Sequence, residues 1–163
     1  MNRDSEQLDR LQFLSRVVQR EQEHLTTTDQ RVFSRPFTPE RAAALADSID
    51  ESERVEAFVS RFGRLQDTLG DKLLPVYLEA VGEHTGAVID NLDRAEKLQL
   101  IPSADAWLTM RKLRNQMVHE YLEDAATLAD ALQAGHEFVP TLSAVVESLL
   151  DDLRARGWLD SES

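Results

Sequence analysis

An apolar stripe with helical spacing recurs along most of this sequence, and it limits the fold to packed α-helices. The strongest stripe repeats every three or four positions and consists of Val55, Phe58, Val59, Phe62, Leu65 and Leu69. A second stripe, marked by Leu8, Leu11, Leu14 and Val18, predicts a first helix over roughly residues 4 to 25. No alternating strand pattern persists, and no glycine-rich phosphate loop follows a strand. We therefore predict an all-α bundle.

Threonine, glycine and proline mark the predicted interruptions. Residues 26–39 begin with three threonines and contain two prolines, so we expect a connection there, followed by a short alanine-rich helix. Residues 70–75 contain glycine and proline, which either kink the helix or divide it from the next apolar segment. The last long helix should start near Asp124, and Gly135 and Pro140 are expected to bend or weaken it.

Length and charge limit the class of protein. At 163 residues without cysteine, the chain can bury a core without disulfides, and we predict one helical domain over residues 1–159 with a polar tail over residues 160–163. The start lacks an apolar signal region and no apolar stretch approaches about 20 residues, so we expect a soluble cytoplasmic protein without membrane contact. The formal charge of −12 argues against non-specific coating of nucleic acid. A small basic site is still compatible with it, and Arg111, Lys112 and Arg114 form a local cluster.

Residues 114–121 read Arg-Asn-Gln-Met-Val-His-Glu-Tyr and are the most informative part of the chain. We expect them near the end of a helix that starts after Ser103 and has Asp105 in its first turn. Arginine presents a planar fork of donors that matches phosphate, and histidine exchanges protons near neutral pH. The combination indicates phosphodiester chemistry, and hence a nucleic acid or nucleotide as substrate.

Arg114 falls between Met110 and Met117 in the apolar stripe of this helix. A charge among apolar neighbours is costly unless it is paired or has a chemical task. A structural interpretation is that the side chain reaches solvent, or that it pairs with a carboxylate of a neighbouring helix, such as Asp67. The nearby histidine and tyrosine favour the functional interpretation.

His119 also has a structural interpretation, because a histidine near the C-terminal end of a helix complements the helix dipole. It follows Arg114 by five residues, so the two positions lie about 140° apart around an ideal helix. One straight helix therefore does not easily aim both side chains at one phosphate. Helix unwinding near the motif, or two motif helices facing each other across a dimer, would bring them together. Asn115, four residues before His119, is placed to orient the imidazole.

The pattern Arg-x4-His-x-Tyr near the end of a helix resembles the HEPN superfamily, and more closely the HEPN toxins encoded beside minimal nucleotidyltransferase antitoxins. The matching residues are Arg114, His119 and Tyr121, with Asn115 in the polar position after the arginine, and residues 56–69 resemble the upstream core helix. The resemblance implies an up-and-down bundle of four to six helices that forms a homodimer. It also implies a metal-independent RNA endonuclease without a cofactor, whose catalytic Arg114 and His119 line a shared cleft. The nucleotidyltransferase would silence this toxin by attaching AMP to Tyr121.

Tyr121 has an alternative interpretation as a boundary residue that packs with Met117. Glu120, Glu123 and Asp124 surround it with negative charge, which disfavours approach of an RNA backbone and would suit a basic antitoxin surface. The scattered histidines lack the spacing of a metal site, and no second histidine completes a His-Glu-x-x-His pattern, so no metal is predicted.

Three hypotheses therefore stand. The first is the HEPN ribonuclease toxin, and the second is a non-catalytic HEPN module that partners a nucleotidyltransferase or binds nucleotide. The third is a plain helical dimer or adaptor in which Arg114 forms a structural ion pair.

Overall fold

Helices and short connections make up the part of the chain that a computed structural model describes, residues 2–119 and 124–159. The α-helices in it are α1 (Asn2–Val32), α2 (Pro39–Ala43), α3 (Ile49–Asp67), α4 (Leu74–Ala80), α5 (Val88–Lys97), α6 (Ala104–His119) and α7 (Ala125–Ala155). A 3-10 turn, Ala44–Asp47, follows α2, and a π-helical segment, Thr68–Leu73, joins α3 to α4. No β-strand occurs in these residues, which confirms the all-α prediction. No helix among them is long and apolar enough to cross a lipid bilayer.

The chain divides into two compact units. The first unit draws its described residues from Met1–Gln22, Leu65–Ala104 and Thr141–Ser163. The second draws them from Glu23–Arg64 and Asp105–Pro140, so it contains most of α3 and α6. The polar tail predicted at residues 160–163 lies outside the described residues.

Helix α1 ends at Val32 and passes the boundary near residue 25 that the apolar pattern predicts. The three threonines at residues 26–28 are helical despite their modest helix propensity. Leu25 and Val32 are 1% and 0% exposed, and Thr28 accepts a hydrogen bond from the guanidinium of Arg61. Because burial and this bond outweigh a small difference in propensity, the prediction of a connection starting at residue 26 is wrong.

The backbone between α3 and α4 widens into π-helix ahead of Pro75. Proline has no amide hydrogen, and in an α-helix its ring collides with the carbonyl four residues earlier. In the π-segment the Leu74 amide bonds to the Leu69 carbonyl, five residues earlier. A local change of helical geometry, which the sequence pattern did not anticipate, thus carries the helix past the proline.

In the first unit a buried tyrosine ties α4 to the end of α7. Tyr77 is 3% exposed and donates its hydroxyl hydrogen to Asp152, whose same carboxylate oxygen lies 2.7 Å from Nε of Arg156. Burial raises the pKa of Tyr77 from 10.0 to about 12, and the hydrogen bond to Asp152 contributes to the increase. Gln12 of α1 donates to the carbonyl of Trp158 at 3.1 Å, which adds α1 to the same unit.

In the second unit a chain of aromatic rings connects the end of α1 with α3, α7 and α6. Phe33 meets Phe58 edge-on, with 5.0 Å between the ring centroids, and Phe58 contacts Phe62 at 5.8 Å. Phe138 of α7 then lies 6.3 Å from Phe62 and 6.2 Å from Trp107 of α6. These separations are typical of favourable aromatic pairs, so the motif helix is joined directly to the core of its unit.

Helix α7 is uninterrupted through Gly135 and Pro140. Asp124 caps its first turn, because the carboxylate accepts a hydrogen bond from the Thr127 amide at 3.1 Å. A Cβ atom at Gly135 would lie 2.5 Å from Cε of Met117. Neither Gly135 nor Pro140 ends α7. A glycine is needed at position 135 because Met117 of α6 approaches the backbone of α7 closely there.

Candidate functional site

Helix α6, which spans Ala104–His119, is fixed by its apolar face. Trp107, Met110 and Met117 are 2%, 6% and 0% exposed, and Met117 packs against Gly135 of α7. These buried side chains set the rotation of α6 about its axis. The direction in which the intervening residues leave the helix is therefore set as well.

Arg114 lies across the backbone of α3 at Gly63. Its Nη1 donates to the Gly63 carbonyl at 3.2 Å, and its side chain is half-buried, as expected for its place in the apolar stripe. A Cβ atom at residue 63 would lie 2.6 Å from Cδ of Arg114 and 3.3 Å from Nη1, so only glycine permits this approach. A carbonyl is a neutral acceptor, so this bond orients the guanidinium without cancelling its charge. The sequence analysis left solvent or a carboxylate as alternatives for Arg114, and the structure adds the main-chain oxygen of Gly63 as a hydrogen-bond partner.

Of the other three motif residues, the structure describes Asn115 fully and His119 in its backbone only. Asn115 is exposed on α6, one turn before His119. The backbone is helical through His119, so the helix does not unwind between residues 114 and 119. The side chain of His119 and the whole of Tyr121 lie outside the described residues, and their roles stay predictions.

Asp124 is one of the acidic residues that the sequence places near Tyr121. The hydrogen bond from the Thr127 amide holds the pKa of Asp124 below its ordinary range. This carboxylate therefore has a structural function at the start of α7. Glu120 and Glu123 fall outside the described residues.

Two arginines of α3 that the sequence analysis did not single out flank Gly63. Arg61 donates from Nη1 to the hydroxyl of Thr28, and this bond ties α3 to α1. Arg64 is exposed, and its Nη2 donates to Oγ of Ser60 at 3.3 Å, one turn earlier on α3. The stretch of α3 that Arg114 contacts is thus itself basic.

Charge is unevenly distributed around this contact. Residues 57–64 contain two arginines and residues 106–119 contain three Arg or Lys residues, and neither segment contains Asp or Glu. The whole chain has 18 basic and 30 acidic residues, and acid-free stretches that contain arginine also occur at residues 10–20 and 30–39, so composition alone does not distinguish residues 57–64 and 106–119. We call them the basic segments; they meet where Arg114 bonds to Gly63. The lack of acidic residues in each segment is visible in the sequence, but their meeting is a tertiary fact.

His136 of α7, another histidine in the described parts, has a structural partner on α1. Nδ1 of His136 lies 2.7 Å from Oδ1 of Asp29, and the imidazole stacks on Phe33 with 4.4 Å between centroids. This pair ties α7 to α1. Within residues 2–119 and 124–159, no group of three or more His, Asp or Glu side chains is arranged to hold a metal ion.

A groove of about 510 Å³ lies in the first unit. Its lining is mostly apolar and consists of Glu96, Gln99, Leu100, Ile101, Pro102, Ala144, Val145 and Ser148. Since this lining includes neither arginine, lysine nor histidine, it offers no cationic group to a phosphate.

Comparison of the chain with protein-family models, with curated proteins and with solved structures finds no match. The likeness to the HEPN superfamily thus rests on the motif residues and the order of the helices, and it stays a prediction.

Proposed function

We propose that this protein is a metal-independent RNA endonuclease of the HEPN type, a toxin that acts as a homodimer. The observation that carries this proposal is the placement of Arg114, whose guanidinium is held against Gly63 where the two basic segments meet. A cation held by packing, five residues before a histidine on the same helix, suits the stabilisation of charge on a phosphoryl group.

In the proposed reaction the ribose 2′-oxygen attacks the adjacent phosphorus, and the 5′-oxygen of the next nucleotide leaves. His119 of one protomer takes the proton of the 2′-hydroxyl, and the partner's His119 gives a proton to the leaving oxygen. Arg114 stabilises the negative charge that develops on the non-bridging oxygens. The products end in a 2′,3′-cyclic phosphate and a 5′-hydroxyl.

Helix geometry is the reason for including the homodimer. Positions 114 and 119 lie about 140° apart around an ideal helix, and α6 stays helical through His119. Two copies of α6 that face each other would combine Arg114 of one protomer with the partner's His119 around one phosphate. Asn115, exposed one turn before His119, would orient the imidazole by a hydrogen bond.

The proposed partner is a minimal nucleotidyltransferase antitoxin that silences the toxin at Tyr121. The tyrosine oxygen would attack the α-phosphorus of ATP, and pyrophosphate would leave. By sequence spacing Tyr121 follows Arg114 by seven residues, which is close to the same face of a helix. An AMP group there would place a bulky anion where the RNA must bind.

A non-catalytic HEPN module that binds a nucleotidyltransferase or a nucleotide is the second candidate. The bond from Arg114 to the Gly63 carbonyl favours it, because an arginine that ties α6 to α3 has a role without catalysis. The two candidates differ at His119, whose replacement matters for cleavage only in a ribonuclease.

The test compares the wild-type protein with His119→Ala and Arg114→Ala, and uses Arg54→Ala as a control at an exposed arginine of α3. The purified proteins are incubated with RNA in excess chelator, and the ends of the products are mapped. We expect cleavage by the wild type and the control, a loss of about 10²- to 10⁴-fold without His119, and a loss of about 10²-fold or more without Arg114. Equal cleavage by the wild type and His119→Ala would exclude the catalytic assignment.

A further inference from the structure

The exposed face of α1 carries its acidic and basic residues in two separate halves. Glu6 and Asp9 precede Phe13, and Arg16 and Arg20 follow it. All five residues are exposed, and the aromatic ring of Phe13 is left 52% exposed between the two charged halves. They belong to the first unit, and the chemistry proposed for α6 uses none of them. We call these five positions the α1 seam.

The spacing of the α1 seam is that of a helix-packing stripe. Its positions follow one another at intervals of three, four, three and four residues, as the a and d positions of a coiled coil do. On an ideal α-helix all of them lie within about 60° of Phe13, so they form one continuous stripe. The opposite side of α1 is already used, because Leu11, Leu14 and Val18 are buried in the core of the protein.

The charges of the α1 seam are not paired within the protein. Among residues 2–119 and 124–159, no hydrogen bond or ion pair involves the side chain of Glu6, Asp9, Arg16 or Arg20. All four charged groups are therefore available to another molecule.

We propose that the α1 seam binds the α1 seam of a second copy of this chain in antiparallel orientation. With Phe13 on the two-fold axis, each ring packs against the same ring of the partner. Positions 6 and 20 lie equally far from Phe13, about 10 Å along the helix axis, so Arg20 meets the partner's Glu6. Asp9 and Arg16 lie on one flank of the stripe at nearly equal distances from Phe13, so they pair across the dimer as well. By symmetry each of these two ion pairs occurs twice.

The order of the charges decides both the orientation and the occupant. A parallel pair of helices would place Glu6 against the partner's Glu6 and Arg20 against the partner's Arg20, and like charges in contact repel. A polyanion such as RNA or an anionic membrane would be attracted by the two arginines but repelled by Glu6 and Asp9. A surface that carries the two halves in reverse order matches both, and an antiparallel second copy is such a surface. This inference does not depend on the ribonuclease function, which concerns α6.

The first experiment measures self-association of the full-length protein by sedimentation equilibrium. Because the seam is only about 20 Å long, we expect a weak interaction with a dissociation constant in the micromolar range. Phe13→Ser and Arg20→Glu should each raise this constant at least about 10-fold. Ile49→Ser and Arg54→Glu are matched controls at an exposed apolar residue and an exposed arginine of α3, and they should behave as wild type. Combining Glu6→Arg with Arg20→Glu in one chain restores the opposite charges and should restore association.

The second experiment tests the antiparallel register by cross-linking. The chain contains no cysteine, so single substitutions give unique attachment points. A mixture of Glu6→Cys and Arg20→Cys proteins, treated with a short bis-maleimide, should give a cross-link between the two variants. Either variant alone should give none, because the two copies of one position lie about 20 Å apart in the antiparallel pair.

Self-association that none of the α1 variants changes would overturn the inference and assign the contact to another face, as would a wild type that stays monomeric up to about 1 mM. Cross-linking of Glu6→Cys to itself, without a cross-link to Arg20→Cys, would overturn the antiparallel pairing. A failure of the charge exchange to restore association would refute the ion pairs. If Phe13→Ser abolishes binding to RNA or to anionic vesicles and leaves self-association unchanged, the α1 seam belongs to a polyanion and the inference falls.

Discussion

Replacing Gly63 with alanine separates the placement of Arg114 from its charge. Gly63 lies inside α3 and is not among the glycines with positive φ, so alanine should stabilise the helix by about 0.5–1 kcal/mol. The new methyl carbon would lie 2.6 Å from Cδ of Arg114, whereas non-bonded carbons prefer about 3.5–4.0 Å. The long arginine side chain therefore has to leave its position.

Two costs oppose the gain in helix stability. Moving Arg114 breaks its bond to the Gly63 carbonyl, which contributes about 0.5–1.5 kcal/mol. A strained rotamer costs about as much again, 0.5–1.5 kcal/mol. The free energy of unfolding should thus fall by about 0–2.5 kcal/mol, while RNA cleavage falls about 10²-fold because the guanidinium no longer faces the phosphate. A folded but nearly inactive protein is the expected result.

A double-mutant cycle with Arg114→Ala tests the reasoning. Without the arginine side chain the methyl group meets no obstacle there, so Gly63→Ala should stabilise the Arg114→Ala protein by about 0.5–1 kcal/mol. Urea unfolding of the four proteins gives the stabilities, and RNA cleavage in chelator gives the rates. The same stability change in both backgrounds would refute the contact, and a wild-type cleavage rate in Gly63→Ala would refute the need for this placement.

Two further predictions concern stability. Tyr77→Phe removes the hydroxyl that donates to Asp152 and should lower the free energy of unfolding by about 1 kcal/mol at neutral pH. Burial raises the pKa of Tyr77 from 10.0 to about 12, so this contribution is complete below pH 10 and disappears as the pH rises towards about 12. Urea unfolding at pH 8 and pH 11.5 should therefore show that the stability difference between Tyr77→Phe and wild type shrinks with pH. A stability difference that stays constant would contradict the assignment. Gly135→Ala should lower stability by about 0–2.5 kcal/mol. Its Cβ would lie 2.5 Å from Cε of the fully buried Met117, an overpacking cost of about 1–3 kcal/mol, and the gain of about 0.5–1 kcal/mol in helix stability offsets part of this cost. Thermal unfolding measures this loss of stability. In the Met117→Ala protein the clash is absent, so Gly135→Ala should no longer lower stability there. Additive effects of the two substitutions would contradict the packing argument.

Helical periodicity predicted the buried apolar stripe of α3 and of the π-helical segment that follows it. All six positions of the stripe from Val55 to Leu69 are at most 8% exposed, because a spacing of 3.6 residues places them on one side of the helix. The same reasoning failed at residues 26–28, where a partner 33 residues away, Arg61, stabilises a helix that local propensity disfavours. It also missed the π-segment before Pro75, since apolar spacing does not distinguish α from π geometry.

For the candidate site, the sequence by itself determined the residue types and their angular separation: an arginine and a histidine five positions apart on one helix, within an acid-free segment. Only the tertiary structure decided that Arg114 crosses α3 at Gly63, 51 residues earlier. The physical reason is that backbone hydrogen bonding sets directions within one helix. Which helices touch depends instead on side-chain volumes far apart in the chain, such as the missing side chain at Gly63 and the methionine seated on Gly135.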